Sequence, residues 1–290
     1  MIYLGLSMQA NGQALAAEKL LLAEYESYSN KSDTYALFVL ESLGFIYLNS
    51  GQLEQAKRII QVLRQTSMNS SMGLMKNWAD WFLGVICYQK NELEAAQQYF
   101  YQIFENRYNA QISPYRDAAA GLALTHQIRG EGLEALQIVD SLSQFDFELR
   151  GSEDNRTRSL RARLMLLQGD LETACRWVDS FTDPPPDQPL LWFEEPQVTR
   201  ARILLAKGSD ADLLSAQQIL DVLNELTDRT HNKRYKIEIL ALRAMTFNAQ
   251  RNTDAAYTEL MHAIDLSKLG GFILFLSIWV TPCRRCCTGL

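Results

Sequence analysis

Gly51-Gln52-Leu53-Glu54-Gln55-Ala56 decides the fold, because the chain repeats it. A glycine or its stand-in, a short polar stretch and an alanine five places on recur at Gly12/Ala17, Gly51/Ala56, Asn91/Ala96, Gly130/Ala135, Gly169/Ala174 and Arg251/Ala256. Gly208/Ala216 is the same pattern with three extra residues. Successive turn positions lie 39, 40, 39, 39, 39 and 43 residues apart. A fixed period of this size marks a solenoid of stacked helix pairs. Phe38, Leu40, Leu43, Gly44 and Tyr47 keep helical spacing before the turn, and Ala56, Ile60 and Leu63 keep it after. The glycine suits the left-handed residue that ends a helix, and the alanine lets the second helix approach the first. The expected fold is all-α: a right-handed α-α superhelix of about seven helix pairs with a period near 39. At Gly208 the extra residues are expected to delay the second helix.

The 290 residues are 47% hydrophobic and 21% charged, enough apolar side chain for a buried core. A formal charge of −6 gives no basic footprint for nucleic acid. Met1 to Gly12 lacks the charged and apolar regions of a signal peptide. The apolar run Phe272 to Val280 is much shorter than the roughly 20 residues that cross a bilayer. A cytoplasmic location is therefore expected. Asp183-Pro184-Pro185-Pro186-Asp187-Gln188-Pro189 cannot be helical and reads as a stiff extended connector between two halves of one array. Leu269-Gly270-Gly271 reads as the stop of the last helix.

These residues resemble tetratricopeptide repeats, with Leu43, Gly44, Tyr47 and Ala56 at the Leu-Gly, aromatic and small positions. More narrowly, "ESLGFIYLNSGQLEQAKRI", "DPPPDQPLLWFEEPQVTRARILLAKG", "THNKRYKIEILALRAM" and "AIDLSKLGGF" resemble the MalT-type repeat region of large LuxR-family, ATP-dependent transcriptional regulators. The resemblance implies a solenoid over residues 1–276 that senses a signal and couples it to neighbouring modules, and a chain truncated at both ends. No G-x-x-x-x-G-K-[ST] phosphate loop and no basic recognition helix occurs. Residues 277–290, "SIWVTPCRRCCTGL" with the preceding Leu276, depart from the family pattern and read as an atypical, out-of-frame tail.

Gly130-Glu131-Gly132-Leu133-Glu134-Ala135 matches a dinucleotide fingerprint but follows a helix rather than a strand, so it is one more repeat turn. Cys283, Cys286 and Cys287 lack the further ligands that a zinc site needs, and no metal or cofactor is expected. The three histidines, His126, His231 and His262, come with no nucleophile elbow or H-E-x-x-H helix. The expectation is a binding module without catalysis.

Two sets of residues are candidates for binding. Arg161, Arg200 and Arg243 share one repeat register, and Arg163 and Arg202 another, so stacked helices should present a ladder of guanidinium groups suited to an anion or a carboxylate-bearing partner. Glu194, Glu195 and Glu238 are placed to neutralise it as ordinary ion pairs. Trp78, Trp81, Phe82 and Tyr88, with Trp192 opening the sixth unit, belong near the concave side, where they cover a sugar or an apolar peptide or else seal adjacent repeats. The expected partners are protein domains or a small-molecule inducer, with self-association through the uncapped first unit and no direct contact with nucleic acid or membrane. The alternative is a general tetratricopeptide scaffold unrelated to transcription.

Overall fold

The computed structural model describes residues 2–28, 33–68, 74–107, 110–186, 188 and 190–274. The expected C-terminal tail and its cysteines lie outside them. Among the described residues there are fourteen helices and no strand. They pair along the chain as α1 (Ile2–Ala10) with α2 (Ala14–Tyr28), α3 (Asp33–Asn49) with α4 (Leu53–Met68), and α5 (Leu74–Gln89) with α6 (Leu93–Glu105). There follow α7 (Ile112–Ile128) with α8 (Gly132–Arg150), α9 (Asn155–Leu167) with α10 (Leu171–Ser180), α11 (Pro196–Lys207) with α12 (Asp210–Arg229), and α13 (Lys233–Ala249) with α14 (Thr253–Gly270). None is long and apolar enough to cross a membrane.

All seven turn positions read from the sequence have positive φ, from 62° at Asn91 to 89° at Gly169. At Gly51 the amide donates to the Leu48 carbonyl at 3.2 Å and the Gln52 amide reaches back to Tyr47 at 2.8 Å. That is the Schellman closure of a helix, which satisfies carbonyls the helix leaves open. Where the residue after the turn is Asp170 or Asn252, its side chain caps the next helix, accepting from the Thr173 and Ala255 amides. The alanines pack as the spacing requires: Ala17, Ala56, Ala96, Ala135, Ala174 and Ala216 are fully buried. Within the first helices, Gly44 and Gly84 leave room for the second-helix side chains Ile60 and Phe100, which would lie 2.6 and 2.4 Å from an added methyl.

The Gly208 turn corrects one expectation. Its amide makes a single bond to the Leu204 carbonyl, and α12 starts at once, capped by the Ser209 hydroxyl on the Asp212 amide. The three extra residues are an added helical turn, not a delay. A further turn of the Schellman type joins α12 to α13, with His231 at φ 51° and the Asn232 amide bonded to the Thr227 carbonyl at 2.9 Å. Lys236 stands where an alanine would follow, so the recurring pattern does not mark it.

The solenoid curls until its ends meet. A methyl on Gly12, in the α1–α2 turn, would lie 2.7 Å from the Arg229 carbonyl oxygen at the end of α12. One on Gly51 would lie 3.2 Å from the Phe272 ring and 3.3 Å from Lys233. Phe272 and Leu274, past the left-handed Gly271, are buried in the same apolar core as Ala17 and Leu21 of the first unit. Apolar residues of α13 and α14, among them Ile237, Leu240 and Ala263, join that core too. The Gly51 turn, Lys90, Lys233 and the end of α14 line a cleft of about 390 Å³ along this seam.

Gly12 and Gly169 separate the seam from the turn itself. Both have strongly positive φ, so alanine at either costs about 1–2 kcal/mol in backbone conformation. Gly169 has open space where a methyl would go, whereas Gly12 faces the Arg229 main chain. Gly12→Ala should therefore lose at least about 1 kcal/mol more stability than Gly169→Ala in urea denaturation. Equal losses would mean that the two ends do not touch.

Candidate functional site

The connection between α10 and α11 runs through the interior. After Phe181 the prolines at 184, 185 and 186 supply no N–H for a helix, and α11 begins at Pro196, where a missing N–H is harmless. Between them Leu190–Glu195 is non-helical backbone surrounded by helices. Its polar groups need partners there, since a buried main-chain group left unpaired is costly.

Side chains from several units provide them. Asn232 donates to the Leu190 carbonyl at 2.6 Å and Arg234 to the Leu191 carbonyl at 2.5 Å. Arg234 and the Tyr235 hydroxyl both donate to the Trp192 carbonyl. On the opposite side, the Phe193 amide donates to Asp117 Oδ1 at 2.6 Å and the Arg163 guanidinium donates to the Phe193 carbonyl at 3.1 Å. Asp117 also accepts from Trp81 Nε1 at 2.7 Å. Glu194 accepts from the Ser159 and Thr199 hydroxyls, both at 2.5 Å, and pairs with Arg163 at 3.2 Å. The segment thus joins α5, α7, α9, α11 and α13.

Its rings complete an aromatic cluster. Phe193 packs edge-on against Tyr88 and Phe100, with centroids 4.9 and 5.3 Å apart. Gly121 of α7 makes the space, because a methyl there would lie 3.0 Å from Phe193. Trp192 lies 6.1 Å from Trp81 and 6.4 Å from Trp78, with the Arg156 guanidinium 5.2 Å from its ring centre. Trp78, Trp81, Phe82 and Tyr88 therefore do converge, but they are buried, with Trp81 and Phe82 fully enclosed. Of the two uses read for these rings from the sequence, covering a ligand or sealing the repeats, their burial fits the second. Trp192 sits in this interior segment, just ahead of α11 of the sixth unit.

The arginines divide. Arg163 and Arg202 come together with Glu194 and Glu238: Arg202 pairs with Glu238, and Arg163 lies 4.0 Å from it. Burial opposes the Arg163 charge, yet Glu194 and Glu238 outweigh it and raise its pKa. Burial likewise opposes ionisation of Glu238, and Arg202 and Arg163 overturn that and lower it. The other register forms no shared ladder. Arg161 pairs with Asp140 at 2.7 Å, Arg243 with Asp221 and Glu259, and Arg200 stands over the Phe181 ring at 6.0 Å.

Sequence reasoning passed over Asp117, Asn232, Arg234 and Tyr235. Asp117 carried a signal: a lone acid preceding three alanines on a first helix, in the register of Trp78 thirty-nine residues earlier. Among the described residues no group of three or more His, Cys, Asp or Glu could hold a metal ion. His126 lies 2.6 Å from Glu131, whose own partners include Arg129.

A solenoid of helix pairs with a filled, ion-paired interior is a tetratricopeptide-type repeat scaffold. Residues 1–277 match the family model of the MalT-like TPR region, and the chain belongs to that family. No curated protein matches it.

Burial pushes the carboxyl of Asp117 up to about 6, although the Phe193 amide, Arg234 and Trp81 work against the shift. Burial also raises Glu195 to about 7 against the pull of Arg156, and Glu41 of α3 to about 7. Each acid holds its proton more tightly in the folded chain than in the unfolded one, where carboxyls titrate near pH 4. The folded chain then binds more protons between about pH 4 and 7, so stability falls as pH rises through that window. Thermal unfolding followed by circular dichroism should give a lower midpoint at pH 8 than at pH 5, and Glu195→Gln should shrink the difference. A midpoint independent of pH in both chains would rule this out.

Proposed function

We propose that the chain is the recognition and coupling module of a LuxR-type transcriptional regulator, acting in the cytoplasm without a catalytic step. The observation that carries this is the Leu190–Glu195 segment, whose bonds tie α7 to α9 and α13, with Trp81 of α5 joined through Asp117. A ligand or partner domain that changes those bonds changes how early and late units sit against one another. A binder that favours one such arrangement shifts the population toward it, which is all that coupling requires. Family membership supports the repeat-module part of this reading. Of the candidate residues, Arg163, Arg202, Trp78, Trp81, Phe82, Tyr88 and Trp192 belong to this interior, while Arg161, Arg200 and Arg243 lie apart from it.

The test pairs two measurements on the purified chain. A thermal-shift screen of oligosaccharides, dicarboxylates and short peptides should give at least one compound that raises the midpoint by about 2 °C or more, as binding to the native state alone requires. Pull-down against nucleotide-binding and helix-turn-helix modules of LuxR-type regulators should retain one of them, and the compound should change the amount retained. Binding to unrelated proteins only would favour a general scaffold. Neither effect would leave no recognition role.

A further inference from the structure

The turn between α12 and α13 faces two neighbours that lie far apart along the chain. Arg229, His231 and Lys233 meet the first two units. A methyl on Gly12 would lie 2.7 Å from the Arg229 carbonyl oxygen and 3.6 Å from His231 Nε2, and one on Gly51 would lie 3.3 Å from Lys233 Cβ. Asn232, Arg234 and Tyr235 meet the interior segment instead. Asn232 and Arg234 donate to the Leu190 and Leu191 carbonyls, and the Tyr235 hydroxyl donates to that of Trp192. One short stretch of chain thus touches both the seam and the interior.

That stretch is held as a unit. His231 keeps its positive φ, the Asn232 amide bonds to the Thr227 carbonyl, and the Lys233 amide bonds to the His231 carbonyl. Asn232 also caps α13, accepting from the Tyr235 amide at 3.1 Å, and Lys236 ties α13 back to α12 through Asp228 at 2.6 Å. Moving Asn232 and Arg234 therefore moves His231 and Lys233 with them.

At the seam the fit is tight. Phe272 is buried between Gly51 and Gly270, where a methyl on Gly270 would lie 2.3 Å from its ring and 3.1 Å from the Gly51 carbonyl oxygen. Close-packed contacts of this kind leave no slack, so a small displacement on either side separates the surfaces. The turns at Gly130 and Gly169, by contrast, have open space beside them.

We propose that the α12–α13 turn is the coupling element of the array: it keeps the seam closed while Asn232 and Arg234 hold the interior segment, and the seam opens when they lose the Leu190 and Leu191 carbonyls. This rests on the reading of the interior as the place of recognition and names the route by which a change there reaches the ends. Such a route needs an element with two states that both sites bias, and the seam, open or closed, is that element. The coupling is reciprocal, so opening the seam also loosens the hold on the segment.

Hydrogen exchange of the full chain, resolved to single amides, reads both places with a built-in control. The amides of Gln13 and Gln52, at the seam, and of Glu131 and Asp170, away from it, make equivalent bonds of 2.8 to 2.9 Å to the Met8, Tyr47, His126 and Met165 carbonyls. Asn232→Asp keeps a side-chain oxygen to cap α13 but removes the donor to Leu190. Gly270→Ala suits the helix it ends but obstructs Phe272. Each variant should speed exchange of Gln13 and Gln52 by about tenfold or more, with Glu131 and Asp170 changing by less than about threefold. Gly270→Ala should also speed exchange of the Phe193 amide, which is bonded to Asp117 in the interior, by about threefold or more. Seam amides unchanged in Asn232→Asp, or all four rising together, overturn the proposal. If Asn232→Asp does not fold, Gly270→Ala decides, and an unchanged Phe193 amide overturns it. The test uses no ligand, so its failure alongside thermal-shift hits removes this route alone, whereas coupled amides without any hit remove the recognition reading alone.

Discussion

Non-helical backbone inside a helical assembly has to be hydrogen-bonded by side chains, and that requirement shapes the interior of this protein. Helices satisfy their own N–H and C=O groups; the bent Leu190–Glu195 segment cannot. Each carbonyl that enters the interior brings a donor with it: Asn232, Arg234, Tyr235 and Arg163 are all placed by helices to reach one. The donors bring charge, and the charge brings Glu238, Glu194 and Asp117. The network follows once a non-helical segment occupies the centre. Buried ion pairs of this kind add little net stability but penalise any arrangement that breaks them.

The aromatic residues have a complementary role. Trp81 and Asp117 lie thirty-six positions apart yet share a hydrogen bond, and the same carboxylate holds the Phe193 amide seventy-six positions further on. The indole and the peptide group take the two oxygens of one carboxyl group, so the packing of α5 and the seating of the interior segment are linked through a single side chain. Loss of that acceptor would leave two buried donors unsatisfied, at about 1–3 kcal/mol each.

The repeat units were legible in the sequence because their signals are local. A left-handed residue and a buried alanine lie within one turn of chain, and every turn from Gly12 to Arg251 has the conformation its spacing implied. His231 escaped because Lys236 breaks the alanine rule, and the Gly208 insertion was misplaced because a longer helix and a longer loop add the same number of residues. The interior segment was legible only as a break. Its prolines announced that it is not helical, but where it goes depends on residues up to seventy-six positions away, and no periodicity encodes that. The candidate arginines divide for the same reason: shared register predicts a shared face, while Asp140, Asp221, Glu259 and Glu238 decide which arginine is drawn where.

The contact of the Gly12 turn with Arg229, and of the Gly51 turn with Phe272, changes how the number of units matters. An open solenoid tolerates gain or loss of a unit, since each interface concerns only neighbours and stability grows by addition. Once the first two units touch the last two, the sum of the small rotations along the array has to meet a boundary condition. The seven pairs of the described residues satisfy it, and removing or adding one between them would bring these contacts together at the wrong height or angle. These units are therefore closer to a loop with a fixed perimeter than to a ladder, and deletion of a whole repeat between them would be felt most at the seam, however far from it the deletion was made.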